Sequence, residues 1–290
     1  MVWNELLSRA RADKDVQVTE LDYRQALTPR FMERYRIPAY KASTPAIFHS
    51  SYFRILPQPG VCNVTTVHDL TYHFYRHGLA KAVHLWEEER ALRHSEAVIC
   101  ISENTKRDVL RAYPWLKEDK IQVVYNGVSD AFYPISSVQK QGYLLYMGNS
   151  AADYKRYDVA QEVARLTGLP LVKASGVTSE QLNKYYNEAL CLLYPSDYEG
   201  FGLPVLEAQK AGCPVIAQRA SSIPEVIGDG GWMVAHDTPQ RMAMEMADIV
   251  RQIQSQSVED MVKKGMENAK RFSWDNTYKQ TKEVYKRLMQ

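Results

Sequence analysis

"LCLLYPSDYEGFGLPVLEAQKAGCPVIA", residues 190–217, decides the fold. It opens on a short apolar run, passes through a loop closed by a Gly-Phe-Gly-Leu-Pro turn, continues as a helical segment and ends on a second short apolar run. That order is strand, loop, helix, strand, and two strands joined through a helix lie parallel. The rest of the second half keeps the same alternation, with strands expected at "YLLYM", "LPLVKAS", "CLLYP", "CPVIA" and "GWMV". The first half does so too, at "VQVTEL", "AIFHS", "CNVTTV", "AVICIS" and "IQVVY", with helices such as "LAKAVHLWEEERALRHS" and "ENTKRDVLRAY" between them. Between the halves "AFYPISSVQKQG" breaks the rhythm with Pro, Ser and Gly. The expectation is an α/β chain of two Rossmann-like domains, 1–137 and 138–290, whose parallel sheets face an interdomain cleft. The late "FSWDNTY" helix is placed near their junction.

At 290 residues the chain is long enough for two such cores. A formal net charge of +2 gives it no whole-chain attraction to nucleic acid or anionic lipid, so any anion binding is local. Cys62, Cys100, Cys191 and Cys213 show neither metal-ligand nor disulfide spacing and read as buried thiols of a reducing compartment. No charged-then-apolar leader and no apolar run near the ~18 residues of a membrane span is visible, so a cytoplasmic protein is expected.

Open parallel sheets bind ligands beyond the C-terminal ends of their strands. The loop after "CLLYP" is such a place. Gly200 and Gly202 let backbone approach a ligand closely, and Pro204 suits a first helical turn whose amides attract an anion. Glu199 in the loop and Glu207, expected in the first turn of the helix, would accept hydrogen bonds from hydroxyls. Phosphates and hydroxyls together describe a nucleotide sugar. A plainer reading of Glu207 is a carboxylate favoured by the helix dipole, worth under ~1 kcal/mol.

The string "YEGFGLPVLEAQKAGCPVIAQRASSIPEVIGDGG" resembles the donor-binding core of the retaining GT-B glycosyltransferases of family 4, whose mark is two glutamates separated by seven residues. "TTVHDLTYHFY", "AVICISENTKRDVL", "IQVVYNGV", "LLYMGN" and "YKRYDVA" agree in order. Within the family the chain is most similar to bacterial enzymes of polysaccharide and O-antigen assembly. The resemblance implies transfer of a hexose, mannose or glucose, from a GDP- or UDP-linked donor to a glycan or lipid-linked acceptor, with no cofactor, no metal and no nucleic-acid partner. It implies a ribose role for Glu207 and a sugar role for Glu199. The amides of Gly200, Phe201 and Gly202 then lie at sugar or phosphate, and His68 faces the donor sugar from the first domain. The plain alternative for His68 is a satisfied histidine at a strand end, and Asp69 reads as a turn residue.

Two departures from the family pattern stand out. The arginine usual after the "YMG"-type strand is Asn149 or Ser150 here, which leaves Lys155 as the diphosphate cation with Arg156 as its understudy; a solvated helix-start pair is the alternative. "MVWNELLSRARADKDVQVTEL" reads as the first helix of the family, so the first domain is expected to lack its first strand and Gly-Gly loop, and a non-catalytic or impaired nucleotide- or glycan-binding homologue becomes the rival reading. Finally, "YRQALTPRFMERYRIPAYK", residues 23–41, interleaves basic and aromatic residues; the plainer reading is a solvated helix with an apolar inner face, the alternative a contact with the inner face of the cytoplasmic membrane or with a lipid-linked acceptor.

Overall fold

The structure, a computed structural model, describes residues 2–21, 36–50 and 52–290. Its strands are β1 Ala46–Ser50, β2 Val61–Val67, β3 Ala97–Cys100, β4 Ile121–Val123, β5 Leu144–Met147, β6 Leu171–Ala174, β7 Cys191–Tyr194, β8 Val215–Gln218 and β9 Trp232–Val234. Its helices are α1 Val2–Ala12, α2 Thr71–Tyr75, α3 Gly78–His94, α4 Glu103–Ala112, α5 Tyr157–Thr167, α6 Ser179–Glu188, α7 Leu203–Lys210, α8 Ile223–Ile227, α9 Pro239–Ser255, α10 Glu259–Ala269 and α11 Trp274–Leu288. Every strand pairing is parallel, in two sheets ordered β1-β2-β3-β4 and β6-β5-β7-β8-β9.

The chain divides into Met1–Asn126 with Trp274–Gln290, and Gly127–Ser273. In the first unit, alternate residues of β3 point to opposite faces of the sheet. Val98 and Cys100 join Leu92 and Val109 in one core, while Ala97 and Ile99 join Val284 of α11 in the other. The last helix is therefore built into the first unit. It is also tied to α1 by Arg9 with Asp275 at 2.6 Å and to the residues after α1 by Lys282 with Asp13 at 2.6 Å. That ammonium is the main reason the Asp13 carboxyl is lowered to about 2.

The break at Asn126/Gly127 lies upstream of the expected one, because the Pro- and Ser-rich segment is bound to the second unit. Tyr133 N–H donates to Asn183 Oδ1 at 3.0 Å, Ile135 N–H donates to Asn187 Oδ1 at 2.6 Å, and the buried Phe132 ring packs edge-on to Tyr186. A second difference is "VQVTEL". Its valines do turn alternately inward, but among the described residues the segment pairs with no strand and is not one itself. Of the basic and aromatic stretch, residues 23–35 lie outside the described ones. Cys100, Cys191 and Cys213 are buried and Cys62 is partly so, all of them free thiols.

In the second unit α5 and α9 pack together over β5, β7, β8 and β9, burying Val159, Val163, Met246 and Val250 against Leu144, Leu193 and Ile216. Helix α7 packs on α6 and α10. This fixes the ends of β5 and β7, where the functional loops begin.

Candidate active site

The strand order of the five-stranded sheet reverses at β5, which carries β6 on one side and β7 on the other. Such a reversal opens a crevice at the C-terminal strand ends, where open α/β sheets take their ligands. Lys155 comes from the loop after β5 and Glu199 from the loop after β7, and the structure brings them together. The Lys155 Nζ donates to both carboxylate oxygens of Glu199 at 2.7 Å. Their side chains are only 19% and 11% exposed. The cation expected for a phosphate and the carboxylate expected for a sugar thus neutralise each other.

Both loops are held from below. The Asp197 N–H donates to Tyr154 O at 2.8 Å, joining the β7 loop to the β5 loop, and Tyr146 OH donates to Lys155 O at 3.1 Å. From the segment before α8, Ser222 Oγ donates to Glu199 O at 3.0 Å and Phe201 O at 2.9 Å, while Ser221 Oγ accepts the Glu199 N–H at 2.8 Å. Ser221 reaches that position with φ of 47°, a left-handed conformation rare outside glycine. Sequence reasoning missed both serines. The available signal was a Ser-Ser pair directly before "IPEVI", a typical helix entry.

Gly202 precedes α7 at φ of +101°, and a Cβ there would stand 2.7 Å from Ile223 Cδ1. Gly202→Ala is therefore expected to lower stability by about 1–3 kcal/mol, read as a fall in the thermal midpoint; an unchanged midpoint would show that the turn relaxes freely. The Phe201 ring is buried against Phe272, so only its backbone is available to a ligand.

Glu207 is the fifth residue of α7, not a first-turn residue as expected, and it is buried. This removes the helix-dipole reading, whose effect is confined to the first turn. Tyr186 OH, on the inward face of α6, donates to Glu207 Oε2 at 3.0 Å. Burial raises the Glu207 carboxyl to about 7, the tyrosine bond opposing it. Tyr194, the last residue of β7, is raised well above an ordinary phenol by burial first and then by Glu199.

Arg156 takes different partners from Lys155. It turns the corner into α5 in the left-handed conformation, φ 52° and ψ 47°, with its guanidinium toward Asp158 at 3.4 Å and Asp197 at 3.8 Å. Where the family arginine is missing, Ser150 Oγ accepts a bond from Lys173 Nζ of β6 at 3.0 Å, so a cation does reach that loop, from the neighbouring strand. Among the described residues no cluster of three or more His, Cys, Asp or Glu is placed to hold a metal ion.

His68 belongs to the first unit, directly after β2. Burial lowers its pKa, with Asp69 opposing, so its imidazole is favoured in the neutral form. The Asp69 carboxylate accepts the Thr71 N–H at 2.8 Å, the turn role expected of it.

Residues 125–252 match the family described as glycosyl transferases group 1, and residues 20–132 match glycosyltransferase family 4. The chain thus carries a glycosyltransferase family 4 domain followed by a group 1 glycosyl transferase domain. The O-antigen chain mannosyltransferase B of Escherichia coli is 42% identical over 113 residues, 39% of this chain and 29% of that protein's length. Among solved structures, sucrose-phosphate synthase from Thermosynechococcus elongatus superposes with a TM-score of 0.67 at 17% identity, over 84% of this chain and 73% of the synthase. The Anabaena protein HepE, solved in complex with UDP and glucose, superposes at 0.63 with 15% identity, over 78% and 72% of the two chains. These matches and the two parallel-sheet α/β units give the chain the GT-B fold.

Proposed function

We propose that the chain moves a hexose, mannose or glucose, from a GDP- or UDP-linked donor to a glycan or lipid-linked acceptor hydroxyl, with retention at the anomeric carbon. The observation that carries the reading is the Lys155–Glu199 pair at the β5/β7 reversal beside the start of α7. A nucleotide sugar is the ligand that satisfies both partners when it parts them, because phosphate oxygens replace the carboxylate on Lys155 and sugar hydroxyls replace the ammonium on Glu199. The O-antigen mannosyltransferase relative and the UDP and glucose complex of HepE support that substrate class.

In this reading the anomeric C–O bond to the diphosphate breaks as the acceptor oxygen bonds to the same face of that carbon. The acceptor proton passes to the leaving phosphate oxygen. Charge grows on the diphosphate, and preorganised donors lower the barrier there: Lys155, the backbone around Gly200 to Gly202, and the first turn of α7. Lys173 is placed to add charge from β6. Glu199 holds the sugar, Glu207 the ribose diol, and His68 is the first unit's contribution to the transfer step.

Release of nucleoside diphosphate from a panel of UDP- and GDP-sugars, with and without glycan acceptors, tests the reaction on the wild type and on His68→Ala. One donor should turn over with acceptor, and His68→Ala should lower kcat with nucleotide affinity intact. Binding without turnover by any donor would favour the impaired homologue. Lys155→Ala should weaken the nucleoside diphosphate more than the monophosphate, since its charge is assigned to the leaving group. The same selective loss in Arg156→Ala, with Lys155→Ala silent, would move the role one residue along.

A further inference from the structure

Helix α3 is built inside out. Its inward positions include Glu87 and Glu88, both buried, while outward it presents Leu79, 80% exposed, and Trp86, 56% exposed. Phe74 and Tyr75 of α2, which packs on α3, are exposed as well, and so is Trp115, which Arg93 of α3 covers. Five of the eleven exposed large hydrophobic residues among the described ones thus lie on this helix or on segments touching it. Such a concentration marks an interaction surface.

The outer face is symmetric along its length. Trp86 is the midpoint of the 17-residue helix, and Leu79 and Arg93 stand at equal distances to either side of it on one stripe. Laid antiparallel on a second copy, with a two-fold axis at Trp86, the helix sets Trp86 on Trp86, Leu79 on Arg93 and Ala82 on Arg90. Each of these is a fit. The Arg93 guanidinium is paired with Glu89 at 2.6 Å and lies 4.1 Å from the Trp115 ring centre, so Leu79 meets a neutralised arginine stem laid over an indole. Ala82 is exposed and small, which leaves room for the Arg90 side chain, whose guanidinium is 5.3 Å from the Trp86 ring centre. The two Arg90 positions stand about 12 Å apart along the helices, beyond the ~8 Å screening length of physiological salt. Past the helix ends the same two-fold brings Arg76, just before α3, to Glu96, just after it, both exposed and of opposite charge.

We propose that two copies of this chain pair through α3, packed antiparallel about a two-fold axis at Trp86. The charges select this occupant. Arg93 finds Glu89 within its own helix and Arg76 finds Glu96 across the axis, so the face needs no outside anion, and its apolar residues are spaced to cover their own counterparts. A closed two-fold also uses the patch up, leaving none of it for a third chain. The proposal does not rest on the sugar-transfer reading.

Sedimentation velocity of the full chain over a range of concentrations tests it, with wild type and Trp86→Glu side by side. The wild type should sediment as a dimer that dilution dissociates. Trp86→Glu should raise the dissociation constant by roughly thirtyfold or more, with the thermal midpoint near that of the wild type. Cross-linking reads the register. Helices packed ~8–10 Å apart bring facing Cα atoms within about 4–6 Å, a span that a disulfide bridges. In a Cys62→Ser background, which removes the one partly exposed native thiol, Leu79→Cys mixed with Arg93→Cys should form a linked dimer on oxidation with diamide, and either variant alone should not. A wild type that is monomeric at every concentration, a Trp86→Glu variant that dimerises like the wild type, or Leu79→Cys linking to itself would overturn the proposal. A monomer that floats with phosphatidylglycerol vesicles would assign the face to lipid instead. Should Trp86→Glu fail to fold, the dilution series of the wild type and the mixed cysteine pair still decide.

Discussion

Glu199→Ala is expected to lower kcat for sugar transfer by about 100- to 1000-fold, the loss typical of one preorganised group at a reacting centre, while nucleoside diphosphate affinity changes little. Two effects combine. The sugar loses its carboxylate partner, and Lys155, partly buried, loses its ion-pair partner among the described residues. Leaving one member of a buried pair uncompensated costs more than the pair itself contributes, on the order of 3 kcal/mol. Glu199→Ala should therefore also reduce thermal stability, and Lys155→Ala in the same chain should restore part of it. A double-mutant cycle checks this directly, with an expected coupling of about 2 kcal/mol, within the range for contacting residues. Additive stability losses would show that the pair is not coupled. Equal losses of nucleotide affinity in Glu199→Ala and Glu207→Ala would show that the two glutamates are wrongly divided.

Glu207→Ala is expected to weaken nucleoside diphosphate binding about ten- to hundredfold, the loss of charge-assisted bonds worth ~1.5–3 kcal/mol. Its pH dependence follows from the burial that raises the carboxyl to about 7 from an ordinary 4.5. Between those values the folded state binds more protons than the unfolded one, so this group's contribution to stability falls as pH rises through the window, by up to about 3 kcal/mol, and is constant above it. Ribose hydroxyls donate to the ionised carboxylate and stabilise it. Nucleotide binding should accordingly release protons near pH 7 and tighten as pH rises from about 6 to about 8. Glu207→Gln should lose that part of the pH slope while keeping the fold; calorimetric titration in two buffers of different ionisation enthalpy measures the proton count. An unchanged slope in Glu207→Gln would assign it to the nucleotide phosphates instead.

The alternation of apolar runs made nearly all of both sheets legible, because parallel strands buried on two faces are written as continuous apolar segments. "VQVTEL" failed for a complementary reason: Val16 and Val18 alternate correctly, but pairing depends on a neighbouring strand that local sequence does not specify. The unit boundary failed because Asn183 and Asn187, some fifty residues away, hold the Pro- and Ser-rich segment to the second unit. Of the candidate residues read from one glycine turn and one basic pair, Lys155 and Glu199 meet in the structure and Gly202 takes the left-handed turn before α7. Tyr186, Ser221 and Ser222 were not legible, since each acts by a bond to a residue from a different element, and the Ser-Ser pair marks a helix entry but not the loop it reaches. Helix α3 was legible as a helix, but which of its faces is inside was not, as its buried side carries glutamates.

The central claim is that the second unit holds a nucleoside-diphosphate sugar between Lys155, Glu199 and Glu207. Calorimetric titration of the full chain with UDP and GDP, alongside Glu207→Gln and Glu199→Gln, tests it most directly. The account predicts one nucleoside diphosphate bound at one site per chain, weakened in Glu207→Gln and nearly unchanged in Glu199→Gln. Binding of neither nucleotide by a folded wild type, or binding indifferent to Glu207, would contradict it.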